Sequence, residues 1–488
     1  MYILLKESFL FDYNGDCKNA ITIRKDSKME HNEIFWDEQA QEQRLSGSIE
    51  NFFRENHMGT LLHRCGIRKC RGISPMIVLH CLFGLSFLRD NIFRHMVVKA
   101  RQPFGKDVVY DFLRSERFNW RRLLLLLTAR AVSFIDGLTG RERQKVLIID
   151  DSVIERPRSK KVELLSRVYD HANGKFVKGF RMLTVGWSDG STFLPLDFAV
   201  LSSWNEKNRF QGITKEMSKK SCGYRRRQES MARSTDLLEP MVKRILSHGI
   251  RAGYILMDSW FGMPVIISRL HKHLPVICMV KNTPKIHYGF AGVRLPLKAI
   301  YGLVRKRPGK AKHLASTIVT LNDDLPAKLV FVRSRNSNDW LGLLSTDIKL
   351  ADEKIVELYG KRWDIEVFFK VTKQHLNLEN GIQARDFDSI IAHTTIVMMR
   401  HVFLAILKRR HDDPRTLGLL FHMCCEELKD LSFIEALRRV QTMLTDTLRK
   451  ADWWSKELCT LVTDVVVRSI IHLLHPTTPL WQTIQEVR

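Results

Sequence analysis

The apolar positions change their period along the chain, and the changes divide it into regions. From Ser46 to Leu138 they recur at helical spacing, through Ile49, Phe52 and Phe53, Met76 to Leu88, Val108 to Leu113 and Trp120 to Ile135. The connectors GIRKCRGISP, RQPFGKD and RSERFNW are basic and broken by Gly, Pro or polar residues, so a small helical domain is predicted over 46–140. The pattern then turns strand-like. KVLIIDDS, Lys145–Ser152, is an apolar, β-branched run ending in two acids, as suits a buried central strand. GFRMLTVGWSDGSTFLPLDFAVL reads as two strands joined at Ser188-Asp189-Gly190. A polar, basic stretch from Asn205 to Arg227 leads to a helix over Met231–His248. AGYILMDSWF, Ala252–Phe261, is again an apolar run that terminates in an acid, and a further helix and the strand PVICMVKN follow.

Strand, hairpin, helix, strand, helix, strand is the order of a ribonuclease-H-like α/β core, predicted to begin over 141–282 and to gather chain-distant acids at neighbouring strand ends. Between Asn282 and Thr346 lie RKRPGKAKH and three strand-like runs, ASTIVTL, KLVFVRS and DWLGLLST, which predict a β-rich insertion over 283–346. The core resumes over 347–382 with a helix at Tyr359–Leu378. Residues 383–488 are helical and apolar over Ile390–Leu407, Leu417–Leu428 and Val465–Leu474. Residues 1–45 are mixed and polar, and poor order is expected there.

Charge narrows the choice of partner. Lys and Arg number 78 against 53 Asp and Glu, a formal net charge of +25 over 488 residues. An excess of that size points to a polyanion, nucleic acid first. In the helical domain Lys106, Arg114, Arg117, Arg121 and Arg122 are placed to meet phosphates, with Asp107 as an N-cap; an ordinary basic surface is the plainer alternative. The apolar run LLLLLTARAV is too short to cross a bilayer, and the opening residues lack the features of a signal peptide, so a cytoplasmic protein is expected. The nine cysteines form no C-x-x-C pair and read as reduced thiols; His63, Cys65 and Cys70 lack the second half of a zinc site.

The densest chemistry lies in YGKRWDIEVFFKVTKQHLNL. On one helix, Tyr359, Arg362, Glu366 and Lys373 fall within an arc of about 60°, and Ile365, Phe368, Phe369, Thr372 and Leu376 fall on the adjacent arc, facing a core. Spacing alone favours the plainer reading, a solvated face with Arg362 and Glu366 as an i,i+4 ion pair. The order Y-x2-R-x3-E-x6-K closely resembles the signature around the third acid of DDE transposases from bacterial insertion sequences, the cut-and-paste branch that forms DNA hairpins.

That resemblance implies a set of roles. The catalytic, metal-binding acids would be Asp151, Asp258 and Glu366, with Asp151 preferred to Asp150 because the family follows its first acid with Thr or Ser and Ser152 stands there. They would hold two Mg²⁺, for which Mn²⁺ substitutes, because in-line phosphodiester displacement is served by two hard cations on oxygen ligands. Tyr359 and Arg362 would hold the phosphate, and Lys373 would grip the terminal DNA. Trp340, in the insertion, would stack a flipped base, with Trp260 and Trp363 as weaker candidates. The implied protein is a transposase that cleaves the double-stranded ends of its element and joins them to target DNA as a homodimer in a synaptic complex. A nuclease or resolvase of the same fold, and a catalytically silent DNA-binding relative, are the rival readings.

Overall fold

The strand β1, Val146–Glu155, is buried over its first five residues, as its unbroken apolar run requires of a strand covered on both faces. In the computed structural model, residues 48–426 are described apart from 70, 99–103, 139, 141, 172, 308–312, 334–338, 382 and 411–414. The chain divides into two units, one of 1–26 with 51–421 and one of 27–50 with 422–488. The described residues of the second, 48–50 and 422–426, are helical. All that follows concerns the first.

Around β1 the sheet builds outward. β2 (Ser166–Asp170) and β4 (Phe193–Leu201) both pair antiparallel with the long β3 (Lys175–Ser188), which itself runs antiparallel to β1. On the other side β1 is parallel to β5 (Tyr254–Met257), and β5 is parallel to β6 (Val276–Val280). The order β4-β3-β1-β5-β6, with helices on the sheet, is a mixed α/β core consistent with the ribonuclease-H-like fold. The insertion extends this same sheet. β11 (Trp340–Ser345) pairs with β6, β10 (Pro326–Arg333) with β11, and β9 (His313–Thr320) with β10; the hairpin of β7 (His287–Phe290) and β8 (Val293–Pro296) closes the edge.

The helix Trp120–Leu138 packs on β4 and on the helix Phe387–Arg410, so the last helix of the N-terminal region is part of this unit's core. Phe387–Arg410 is long and apolar enough to cross a membrane, yet it is almost wholly buried in the protein as its central helix. Two readings of the N-terminal region change. Gly105, not Asp107, occupies the N-cap, with Asp107 in the first helical turn. Arg121 is withdrawn from solvent by Asp197, at 2.8 Å, and by Glu229, so it does not face phosphate.

Three elements differ from the sequence pattern. The basic stretch holds a helix, Cys222–Ser230, capped by the Ser221 hydroxyl accepting from the Tyr224 N–H at 3.1 Å, and the following helix covers Ser234–Leu246. β2 is hidden in the sequence by its five-residue length and its single apolar aliphatic residue, Val168. The single helix expected at Tyr359–Leu378 is broken into Asp352–Gly360 and Trp363–Gln374, because the N–H groups of Lys361, Arg362 and Asp364 bond three residues back instead of four. It also ends early, where Asn377 takes a left-handed conformation. The expectations for 1–45, Cys70 and Val465–Leu474 fall outside the described residues.

Candidate active site at the strand ends

Two neighbouring acids close the buried half of β1, and alternation sends their side chains to opposite faces of the sheet. Asp150 points to the face covered by Trp363–Gln374. There Arg362 donates from one amine to Asp150 Oδ2 at 2.8 Å and from the other to Glu366 Oε1. One guanidinium thus joins an acid on a strand to an acid on a helix 216 positions away in the chain. Ile365, Phe368, Phe369 and Thr372 are buried beneath this helix and hold it in place.

Asp258 arrives from the adjacent parallel strand. The β1–β5 register pairs Ile149 with Met257, so the next position on each strand carries an acid. Asp258 Oδ1 accepts the N–H groups of Trp260 at 2.9 Å and Phe261 at 3.3 Å, closing a tight turn. Phe261 is fully buried, and a Cβ at Gly262 would lie 2.3 Å from the Met279 carbonyl oxygen, so the turn is pressed against β6 and cannot drift.

Asp151 lies on the other face, bound by Arg181 at 3.1 Å; Arg181 also donates to the Tyr169 carbonyl at 2.8 Å. Burial raises the Asp150 carboxyl well above its ordinary pKa, and Asp258, Asp151 and Glu366 push it further, against the pull of Arg362. Asp151 is raised by burial and by Asp258, against Arg181. Arg362 stays firmly charged despite its burial, held so by Tyr359, Asp150, Glu366 and Asp258. The Tyr359 ring lies beside Arg362, 5.9 Å from its Cζ, and its hydroxyl is buried without a hydrogen-bond partner. Burial raises that phenol's pKa too, so it keeps its proton and can donate it in a hydrogen bond.

Of the residues singled out from sequence, Asp150, Asp258, Glu366, Arg362 and Tyr359 come together. Asp151 sits across the sheet from Glu366. Lys373 is tethered along β1, donating to the Val153 carbonyl at 2.6 Å with Glu379 at 3.3 Å. Trp340 stands apart in the insertion, stacked on Tyr301 at 4.5 Å and edge-on to Phe331 at 5.0 Å. Sequence reading passed over Arg181 and over Lys281, whose ammonium feels Asp258. A lone arginine inside the apolar run of β3 was the available signal for the first.

Among the described residues no three His, Cys, Asp or Glu side chains form a ready-made metal-binding group. The reason at this site is visible: the Arg362 guanidinium takes the cation's place between Asp150 and Glu366. The donor set itself suits a hard divalent ion, being all oxygen, crowded and short of positive charge.

Among curated proteins none matches. A solved structure, the Drosophila P element transposase strand transfer complex, matches at 9% identity with a TM-score of 0.20, covering 89% of this chain and 87% of that one. At that score the fold rests on this chain's own strand order. Residues 92–335, half of the chain, match the family described as DDE superfamily endonuclease, whose members generally use divalent metal ions. With two acids of the site, Asp150 and Asp258, inside the matched span and the third, Glu366, tied to Asp150 through Arg362, the chain belongs to the DDE superfamily endonucleases.

Proposed function

We propose that this endonuclease is a DNA transposase of an insertion element, cutting double-stranded element ends and joining them to target DNA as a homodimer. Its catalytic acids are Asp150, Asp258 and Glu366. The observation that carries this reading is the Arg362 bridge: of the two acids at the middle of β1, just past its pairing with β5, Asp150 alone shares a guanidinium with Glu366, whereas Asp151 is held by Arg181 across the sheet. Asp150 therefore replaces Asp151 as the first acid, and Asp151 becomes a positioning group for Arg181.

Asp150, Asp258 and Glu366 would hold two Mg²⁺, which supply an activated oxygen nucleophile and stabilise the leaving oxygen of a phosphodiester. Arg362 offers a two-pronged donor that fits a phosphate as well as a carboxylate, so an incoming scissile phosphate competes for the fork that now holds the acids. The unpartnered Tyr359 hydroxyl gains in that phosphate the acceptor it lacks within the protein. Water attack at the element end frees a 3′-hydroxyl, and attack by this hydroxyl on the opposite strand gives a hairpin end. Lys373 contributes a point charge toward the terminal DNA, Trp340 offers an indole to an unpaired base, and the exposed Lys106 and Arg122 of the helical region meet flanking phosphates.

The test is cleavage of the element's own end sequences by the full chain with Mg²⁺ or Mn²⁺. Nicking, hairpin ends and joined target DNA are expected from the wild type and none from Asp258→Ala. Equal products from both proteins overturn the assignment, and free ends without hairpins or joined target reduce the reading to a nuclease.

A further inference from the structure

On the Asp151 side of the strand ends, four aromatic rings touch in series. Phe176 of β3 meets Tyr169 of β2 at 5.0 Å between centroids and an angle of 68°. Tyr169 meets His171 at 4.9 Å and 80°, and His171 meets Trp260, in the turn after β5, at 4.7 Å and 52°. Each end of the series carries a cation: Arg167 Cζ lies 4.3 Å from the Phe176 centroid, and Lys281 Nζ lies 4.3 Å from that of Trp260. Arg181 stands at the inner end, 5.8 Å from the Trp260 ring, with Asp151 and the Tyr169 carbonyl as its partners.

Rings assembled to stabilise a fold are buried, as Trp187, Phe180 and Phe198 are here. In this series Phe176 is 55% exposed and Tyr169 37%, and the cations lie along the same surface. Burial, with Arg181 and Lys281 nearby, holds His171 below its ordinary pKa, so at neutral pH it is one more uncharged ring. Exposed rings interleaved with cations are what an unpaired strand recognises, since its bases stack and its phosphates are neutralised. A duplex hides its base faces and has no use for the rings.

We infer that the strip from Phe176 to Trp260 binds unpaired nucleotides of the DNA next to the cleavage site, leading one strand toward Asp258. The inference rests on the endonuclease reading above and adds a strand-specific binding site to it.

The experiment compares two probes on the full chain in EDTA, where no cleavage occurs: a blunt duplex and the same duplex with a three-nucleotide overhang containing 2-aminopurine. The wild type should bind the overhang about tenfold more tightly, the size of a stacked base, and change the 2-aminopurine fluorescence. Phe176→Ala, which removes an exposed ring at little risk to folding, and Trp260→Ala should lose the preference, while Trp260→Phe keeps part of it. Equal binding of both probes, or an undiminished preference in both alanine variants, overturns the inference. Tighter binding of an RNA overhang overturns the assignment to DNA. A parallel nicking reaction with Mg²⁺ separates the two claims. Nicking without overhang preference sinks the strip alone, and ring-dependent preference without nicking supports the strip while overturning the cleavage reading.

Discussion

Among the described residues, two of the buried clusters of arginine and carboxylate are balanced differently. In the first, Arg226 and Arg227 of the helix Cys222–Ser230 meet Glu163 and Asp388. Arg227 donates to both Glu163 oxygens at 2.8 Å and to both Asp388 oxygens at 2.9 and 3.0 Å, and Arg226 adds a bond to Asp388 at 2.6 Å. Two cations face two anions, and the spare donors reach the carbonyls of Gly223, Phe118 and Ser115. At the strand ends, four acids, Asp150, Asp151, Asp258 and Glu366, face two guanidiniums, with Lys281 to one side. The neutral cluster fastens loops to a helix. The acidic one leaves Asp150 with a raised pKa, a debt that a divalent cation can settle.

The comparison breaks first at the acids. Asp150→Asn should lower the metal-dependent cleavage rate by at least about a thousandfold, since loss of a metal-holding carboxylate costs several kcal/mol at the transition state. Asp151→Asn should cost much less. The reverse ranking in a nicking time course would return the first-acid role to Asp151. In the neutral cluster Arg227→Ala should leave buried carboxylates uncompensated and cost about 3 to 5 kcal/mol of stability, read by denaturant unfolding. A loss below about 1 kcal/mol would show that water reaches the cluster.

Smaller effects sharpen the contrast. Removing Arg362 takes away the cation that lowers the Asp150 pKa, so in Arg362→Gln that carboxyl should ionise at still higher pH. Divalent-ion affinity, which needs the ionised form, should rise with pH in the wild type above the ordinary carboxylate range, and the variant's curve should lie at higher pH. An unmoved curve in a calorimetric titration would separate Arg362 from the metal-binding acids.

A pH-dependent effect comes from the core helix. Burial, aided by Arg400 and Arg156, lowers the pKa of His393 to about 3. The unfolded state takes up a proton below its ordinary pKa of 6.5 and the folded state does not, so stability present above 6.5 is lost as pH falls toward 3. The slope is up to about 1.4 kcal/mol per pH unit. His393→Gln should remove this contribution; His401, lowered by burial to about 4, adds a second one of the same sign that persists in the variant.

These two clusters were unequally legible in the sequence. IIDDS and MDSWF announce themselves because each is a buried apolar run that stops at an acid, and the parallel register then brings Asp150, in the middle of β1, beside Asp258, just past the end of β5. Glu366 was legible through the resemblance of the order Tyr359, Arg362, Glu366, Lys373 to a family signature, although the break after Gly360 was not, since Lys361 and Arg362 are good helix formers. Which neighbour, Asp150 or Asp151, faces Glu366 depends on the face of β1 that the helix covers, a tertiary fact. The neutral cluster was hidden: KKSCGYRRR reads as a solvated basic stretch, and the acids that bury Arg227 lie 64 and 161 residues away.

Iron-directed cleavage of the polypeptide tests the central claim most directly. With Fe²⁺ in place of Mg²⁺, and with ascorbate and peroxide, locally produced radicals should cut the wild-type chain near Asp150, Asp258 and Glu366 together, and excess Mg²⁺ or Asp150→Asn should suppress all three cuts. Cuts confined to other segments, or cuts near these acids that persist unchanged in Asp150→Asn, would contradict the account.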